Sequence, residues 1–476
     1  MVMSVENRVK LQETFQSVLD HMDQSFDDCE RIDRIEEELF DDVRELSRQM
    51  LQAAVDDVSC EEQQQAPDVI ERADAADLKR LDTMPTRRLV TLFGELTITG
   101  PVYAVRAKQK VEYAPVACRL GLPEGEFSYL FQNWAQRLCV RNAFHDSRDM
   151  LDELLNQRVS VRSLEHMNRH MAAAVEAFRE QQGPPPGAEQ GDLLVTSADA
   201  TGVPMAHRDG KMQMAYIGAC YSINRHVRTA DDLLDETLRR RSQQSQPRPV
   251  FKRLYADMTR SPEEAPDTLV DGRVSVFTWL AHEVETRRQS ASQPVICLMD
   301  GEHALWDRKS ELLGEGVIEI LDFWHFLDRL RQVSKALTGT EAQAEVFLEE
   351  RLRRVLEGGL GRVIGGLRQM LKTRRLKKVD RETVESALTY FENNRDRMRY
   401  DEYLAAGYPI ASGVIEGSCR HIVEDRLDGT GMRWELPGAV AMLHTRSIAL
   451  SDDWNEYQNW RINTEQRKLY THAVSP

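Results

Sequence analysis

Covalent ties are scarce in this chain: its 476 residues include only seven cysteines, at positions 29, 60, 118, 139, 220, 297 and 419, and no two form a CxxC pair. An odd, dispersed set argues against both a disulfide framework and a cysteine-rich zinc site. Long apolar runs are missing too; none approaches the ~18 consecutive residues of a membrane span. The opening stretch from Met1 to Lys10 is polar and does not read as a signal peptide. There is no Walker A loop, no GxGxxG, no HExxH and no GxSxG, so nothing points to those nucleotide-binding, zinc-protease or serine-hydrolase chemistries. A reduced, cytoplasmic protein with no membrane partner is expected.

What is present is a globular composition, 41% hydrophobic and 29% charged. The length allows roughly three domains of about 150 residues and at least one sizeable core. A net charge of −16 speaks on its face against nucleic acid as a partner. The charge is unevenly distributed, however. Residues 1–80 hold 22 acidic and 9 basic residues, a net of −13, which leaves −3 for the other 396. Residues 351–378 carry ten Lys/Arg against the single acid Glu357, a local +9. DNA binding through local patches therefore stays open.

From Val9 to about Val58 apolar residues recur at helical steps, as in Leu11, Phe15, Val18, Leu19 and Met22. This acidic arm, residues 1–66, reads either as a solvated helical hairpin or as an oligomerisation arm. Residues 87–105 are rich in β-branched and aromatic residues around Gly94-Glu95. They predict a β-hairpin turning at that pair and flanked by Arg87, Arg88, Arg106, Lys108 and Lys110. Helical patterns fill Ser128 to Arg179, and the run Gln181-Gln-Gly-Pro-Pro-Pro-Gly-Ala marks a domain boundary.

Five strands are then expected: Leu193–Ser197 leading into Asp199, Met212–Ile223, Phe251–Ala256, the apolar run Pro294–Met299 leading into Asp300, and Val317–Phe323. A helix is predicted over Val274–Arg287, and helix from His325 to about Tyr403 with breaks at Gly358-Gly359 and Gly365-Gly366. Another opens over Val414–Arg426. The class is mixed α/β, a five-stranded mixed sheet with flanking helices, preceded by a mainly helical N-terminal region containing the hairpin.

Two of the strands end in aspartate, Asp199 and Asp300, with Gly202 and Gly301 read as turn glycines just beyond. Sites in open α/β sheets assemble at the carboxyl ends of strands. Two carboxylates there can hold a divalent cation, and Glu416, in the first turn of a later helix, is the candidate third. Oxygen ligands of this kind suit Mg²⁺ or Mn²⁺, pairs of which act about 3.5–4 Å apart in phosphoryl transfer. The competing reading makes each Asp a turn or helix cap, and Asp209, Glu302, Asp322 and Glu424 are rival ligands nearby.

Several motifs stand in a fixed order: Asp199-Ala-Thr-Gly-Val-Pro-Met, Met299-Asp-Gly-Glu-His-Ala-Leu-Trp306, Ile320-Leu-Asp-Phe-Trp-His325, Leu360-Gly-Arg-Val-Ile-Gly-Gly-Leu-Arg-Gln-Met370, the long run Tyr390 to His421, and Gly429-Thr-Gly-Met-Arg-Trp434. Over roughly residues 195–465 the chain thereby resembles the DDE transposases of the ISKra-type bacterial insertion sequences, and more distantly the Mutator-like superfamily. The resemblance implies an RNase H-like catalytic core with a helical insertion before its last catalytic helix. It places the catalytic, metal-holding triad on Asp199, Asp300 and Glu416. Asp322 to His325 looks like that superfamily's Asp/Cys-x-x-His signature, which makes Asp322 and His325, with His303, possible accessory residues. Family members often have Gly after the first Asp; here it is Ala200.

On this reading residues 67–180 would bind element ends, with Arg87 and Arg88 among the contacts. Residues 191–326 form the first part of the core, 327–405 a basic helical insertion, 406–450 the catalytic C-terminal helix region, and 451–476 a tail. Arg374, Arg375, Lys377 and Lys378 would contact phosphates. The expected partners are terminal inverted repeats and target DNA, the location the cytoplasm in association with the nucleoid, and the state a homo-oligomer at least on DNA. Trp306 and Trp434 read as core residues rather than base-stacking ones. A stand-alone RNase H-like nuclease, or a domesticated DNA-binding protein without catalysis, would share much of this sequence pattern.

Overall fold

The computed structural model describes residues 3–72, 76–106, 110–206, 212–238, 247–260, 270–411, 413–429 and 431–470. Lys108, Asp209, Ser412 and Thr430, named above singly or within motifs, lie outside the described residues. The chain divides into two compact units, residues 1–167 with 455–476, and residues 168–454. The parting precedes the proline run, and most of the last helix, Trp454–Tyr470, returns to the first unit. No local sequence signal announces that return.

In the first unit the acidic stretch forms two antiparallel helices, Val5–Asp27 and Ile32–Gln65. Side-chain hydrogen bonds from Asn7 to Asp57 and from Thr14 to Gln49 join them, as does the His21–Asp42 contact. Cys29 takes a left-handed φ of 56° in the turn between them. Two short strands, β1 (Val69–Ile70) and β2 (Leu78–Arg80), precede the hairpin of β3 (Thr86–Thr91) and β4 (Gly94–Thr99), and β5 (Tyr103–Ala104) completes a small sheet with β1 and β2. The hairpin turns at Leu92-Phe93, not at Gly94-Glu95. Gly94 pairs with Thr91 and Glu95 with Val90, and the φ of 139° at Gly94 is one that a side chain would strain. Val55 and Val58 cover the hairpin's Leu89, Leu96 and Ile98.

The second unit is mixed α/β, built on a five-stranded mixed sheet. Its strands are β6 (Leu193–Pro204), β7 (Met212–Ile223), β8 (Val250–Met258), β9 (Val295–Met299) and β10 (Ile318–Leu321). Their order is β10-β9-β6-β7-β8. The first three are parallel, and β6, β7 and β8 are antiparallel in turn. β6 does not end near Asp199 as its apolar run suggests. All twelve of its residues pair with β7, so Asp199 lies within the strand and Gly202 pairs with Met214 rather than making a turn. The parallel partner β9, in contrast, pairs only with Leu194 to Thr196.

Alternation along the strands sends their side chains to opposite faces. Val195, Ile296, Leu298 and Ile320 enter one core with Leu327, Leu330, Leu352, Leu367 and Phe391. Those last five come from four helices, Phe323–Leu337, Glu341–Leu356, Leu360–Thr373 and Lys378–Asn393. Each fully buried Leu or Phe contributes about 1.5–3 kcal/mol. The opposite face, with Leu194, Cys297 and Met299, packs on Phe277 and Leu280 of the helix Gly272–Arg287.

The helical region breaks at Gly358, where φ is 77°, but not at Gly365-Gly366. Buried Val363, Ile364 and Leu367 hold that helix together across the glycine pair. The strand expected over Val317–Phe323 ends at Leu321 because Asp322 caps the next helix. Among the described residues, no helix is long and apolar enough to cross a membrane.

Candidate active site

Strand register brings three aspartates together. Thr196 lies opposite Cys297, three residues before Asp199 and Asp300 respectively. Met299 lies opposite Leu321, one residue before Asp300 and Asp322, and the amide of Asp322 donates to Met299 O (2.8 Å). Extending the registers sets Asp199, Asp300 and Asp322 in one row across three adjacent strands. Period two puts all three on the face of Val195, Ile296 and Ile320, under the inserted helices. Glu416 arrives on the helix Gly413–Cys419, which packs on β6 and β7. That helix then widens into a π-helical stretch over Arg420–Glu424, a form often found at functional sites.

Local hydrogen bonds orient each group. One oxygen of Asp199 accepts from the amide of Ala200 (2.7 Å) and the other from the Cys419 thiol (3.3 Å). An oxygen of Asp300 accepts from the amide of Glu302 (2.9 Å), and its backbone carbonyl accepts from the Trp306 indole (2.6 Å). Asp322 caps its helix by accepting from the amides of Trp324 and His325. The turn-and-cap reading thus holds for Asp300 and Asp322 alongside their place in the row.

Burial raises the Asp199 carboxyl above its ordinary range, and the charge of Asp300 adds to it. Burial likewise raises Glu416, reinforced by Asp322 and Asp199. Glu302 is raised by burial and then by Asp300 and Asp199, so it is a further carboxylate of the cluster. His325 faces both Asp199 and Glu416; Arg273, which acts on Glu302, is already paired with Asp271. Mutually repelling carboxylates without a Lys or Arg partner are a suitable donor set for a hard divalent cation.

Among the described residues, the close grouping of possible ligands here is not the expected triad. Ligand atoms of Asp322, His325 and Glu416 all lie within 4.8 Å of one another, with Asp199 and Asp300 beside that group rather than in it. Another such group, Glu176, Asp257 and His444, includes an aspartate ion-paired with Arg260 at 2.9 Å. Among the other expected residues, His303 is exposed and approaches the Asn393 amide at 3.3 Å. Glu424 is exposed. Trp306 and Trp434 are buried, as core residues are.

Tyr390 was missed as a site residue. A Cβ on Gly301 would lie 2.2 Å from its ring, so only glycine after Asp300 lets this side chain of the insertion close over the row. Burial and the Asp300 charge push the Tyr390 hydroxyl far up, which keeps it protonated. The Asp-Gly pair after a strand was the available signal, but it does not say what approaches.

The basic residues sort into two kinds. The half-buried Arg87 guanidinium donates to the backbone carbonyls of Pro123 and Gly125, and Arg88 pairs with Glu95 (2.8 Å) and lies 3.7 Å from Glu126. In the insertion, Arg353 pairs with Asp231, Arg368 with Glu392, and Arg374 donates to Leu337 O. Lys378 lies 3.8 Å from Glu382. Arg375 and Lys377 are exposed and make no ion pair among the described residues. In comparisons with known proteins, no family model and no curated protein matches this chain.

Proposed function

We propose that this chain is a DDE-type DNA transposase of an insertion sequence, acting on phosphodiesters at a site built from Asp199, Asp300 and Glu416. The gathering of Asp199, Asp300 and Asp322 on one face of the sheet, with Glu416 beside them, carries the reading, and burial and neighbouring carboxylates raise Asp199 and Glu416. The strand order β10-β9-β6-β7-β8, three parallel then two antiparallel, with helices inserted before the Glu416 helix, supports an RNase H-like core.

Asp199, Asp300 and Glu416 would hold Mg²⁺ or Mn²⁺, with Asp322 and His325 as additional ligands. The chemistry such cations supply is activation of an oxygen nucleophile and neutralisation of charge at the phosphate. The chain's own part is positioning. The amides of Ala200 and Glu302 fix the Asp199 and Asp300 carboxylates, and the amides of Trp324 and His325 fix that of Asp322. Tyr390 shields the Asp300 end from water. DNA would be held through unpaired basic side chains such as Arg375 and Lys377, and the element ends brought together by an oligomer.

The test is incubation of the full chain with Mg²⁺ and duplexes carrying the element's ends. Nicking at the end followed by joining of the freed 3′-hydroxyl to a second duplex is expected. Cleavage without joining or end preference would make the protein a nuclease. Duplex binding without any Mg²⁺- or Mn²⁺-dependent cleavage would make it a DNA-binding protein only.

A further inference from the structure

The two N-terminal helices carry an apolar face that no described part of the chain covers. On Val5–Asp27 the exposed apolar residues are Val5, Val9, Phe15, Leu19 and Phe26, with Val5 78% and Phe26 55% exposed. On Ile32–Gln65 they are Ile32, Phe40, Val43, Met50 and Leu51. The line by which the first helix meets the second runs through Asn7, Thr14, Val18 and Ser25; its counterpart runs through Glu38, Asp42, Gln49 and Ala53. At about 100° per residue, each exposed stripe lies about a third of a turn from its contact line, in the same rotational sense seen from each helix's own N-terminus. For antiparallel helices, equal offsets in the same sense put both stripes on one side of the hairpin. Partly buried Leu11, Met22, Leu39 and Leu46 lie between them.

We infer that this face is the interface between two copies of the chain, joined about a two-fold axis as a four-helix bundle. Self-association suits a single face presented by two antiparallel helices, because a two-fold axis meets each stripe with its own copy. The extent agrees as well. Ten side chains of this size, about half exposed, offer roughly 800 Å² per copy, the amount a stable interface needs on each partner. The region's charge narrows the choice, since a net of −13 over residues 1–80 repels nucleic acid and anionic membranes. Two acidic hairpins also repel each other, so the dimer has a particular mark: it tightens as salt screens that repulsion. DNA binding through Lys and Arg does the opposite. The inference does not depend on the catalytic reading.

Sedimentation velocity of the full chain without DNA tests it. At about 20 µM a reversible dimer is expected that tightens between 0.05 and about 0.5 M NaCl. Replacing Phe15, Leu19, Phe26 and Phe40 together by Gln should weaken association about 100-fold or more. Unchanged far-ultraviolet circular dichroism would show the helices intact, as expected for exposed positions. Phe93→Gln with Leu130→Gln, exposed elsewhere in the same unit, should leave the dimer as it is. A wild-type chain that stays monomeric in high salt overturns the inference. So does a quadruple variant that keeps its helices and associates like the wild type.

Discussion

Acids in the second unit fall into two groups, one fully buried and one partly exposed, that differ in their partners. Burial alone would raise Asp257, yet His444 and Arg260 hold its carboxyl below the usual range. Glu283, 1% exposed, lies between Arg253 and Arg287 at 3.2 Å from each. Asp199, Glu302 and Glu416 are instead pushed upward, by burial and then by neighbouring carboxylates. The same fold pairs guanidinium groups directly with the first set, whereas for the second the one that acts, Arg273 on Glu302, is itself paired with Asp271. Carboxylates raised by burial and by one another have a cost in stability, and such a cost is commonly borne where it serves a site. The basic residues divide the same way, Arg87 and Arg374 committed to backbone carbonyls, Arg375 and Lys377 not.

The largest expected effect separates the two acid groups by activity. Asp199→Ala, Asp300→Ala or Glu416→Ala should each lower Mg²⁺-dependent cleavage about 1,000-fold or more, with duplex affinity nearly unchanged. Asp257→Asn should leave residual cleavage by the folded fraction. Cleavage that survives in the Asp300 variant would break the contrast. Next in size, Arg287→Met leaves the buried Glu283 short of a partner and should cost about 3–5 kcal/mol in urea unfolding. A loss below about 1 kcal/mol would show that the pair is not a structural one.

For the bases, Arg375→Gln with Lys377→Gln should reduce the slope of log affinity against log salt by about 2 units. Arg87→Gln should leave that slope alone and lower thermal stability instead. The smallest effect concerns Asp199 itself. Its raised carboxyl means the folded state binds the proton more tightly than the unfolded chain does. Metal-free stability should therefore fall as pH rises above the ordinary aspartate value. Asp199→Asn removes that fall, so this variant should melt higher than the wild type at neutral pH and equal it in acid. A lower melting temperature at neutral pH, without metal, would contradict the raised state of the Asp199 carboxyl.

Much of the second unit was legible because its strands are apolar runs bounded by polar residues. All five are placed, with edges off by one or two residues except that β6 runs seven residues past its expected end at Ser197. Asp300 and Glu416 stand out as acids after a strand and at a helix start, and Asp199 as an acid beyond an apolar run, whereas the ligand atoms that lie within 4.8 Å of one another are those of Asp322, His325 and Glu416. Asp322 was read only as a rival and an accessory residue. Its place in the row follows from the pairing of β9 with β10, which no local pattern encodes. Gly365-Gly366 was read as a break on propensity alone, and tertiary burial of Val363, Ile364 and Leu367 overrode it. Arg87 looked available for DNA because a sequence does not show that Pro123 and Gly125 will take its donors.

The sequence by itself determined the alternation that sends Val195 and Asp199 to one face, the acidic arm, the basic stretch and the acid that follows β9, since each depends on neighbours along the chain. Tertiary structure alone decided that Asp199, Asp300 and Asp322 share a row, that Tyr390 closes over Gly301, and which Arg and Lys side chains are already committed. Those outcomes rest on register and ion pairing between segments up to about 120 residues apart. Such pairings are fixed only when the segments meet, and a one-residue slip would send every side chain of a strand to the other face.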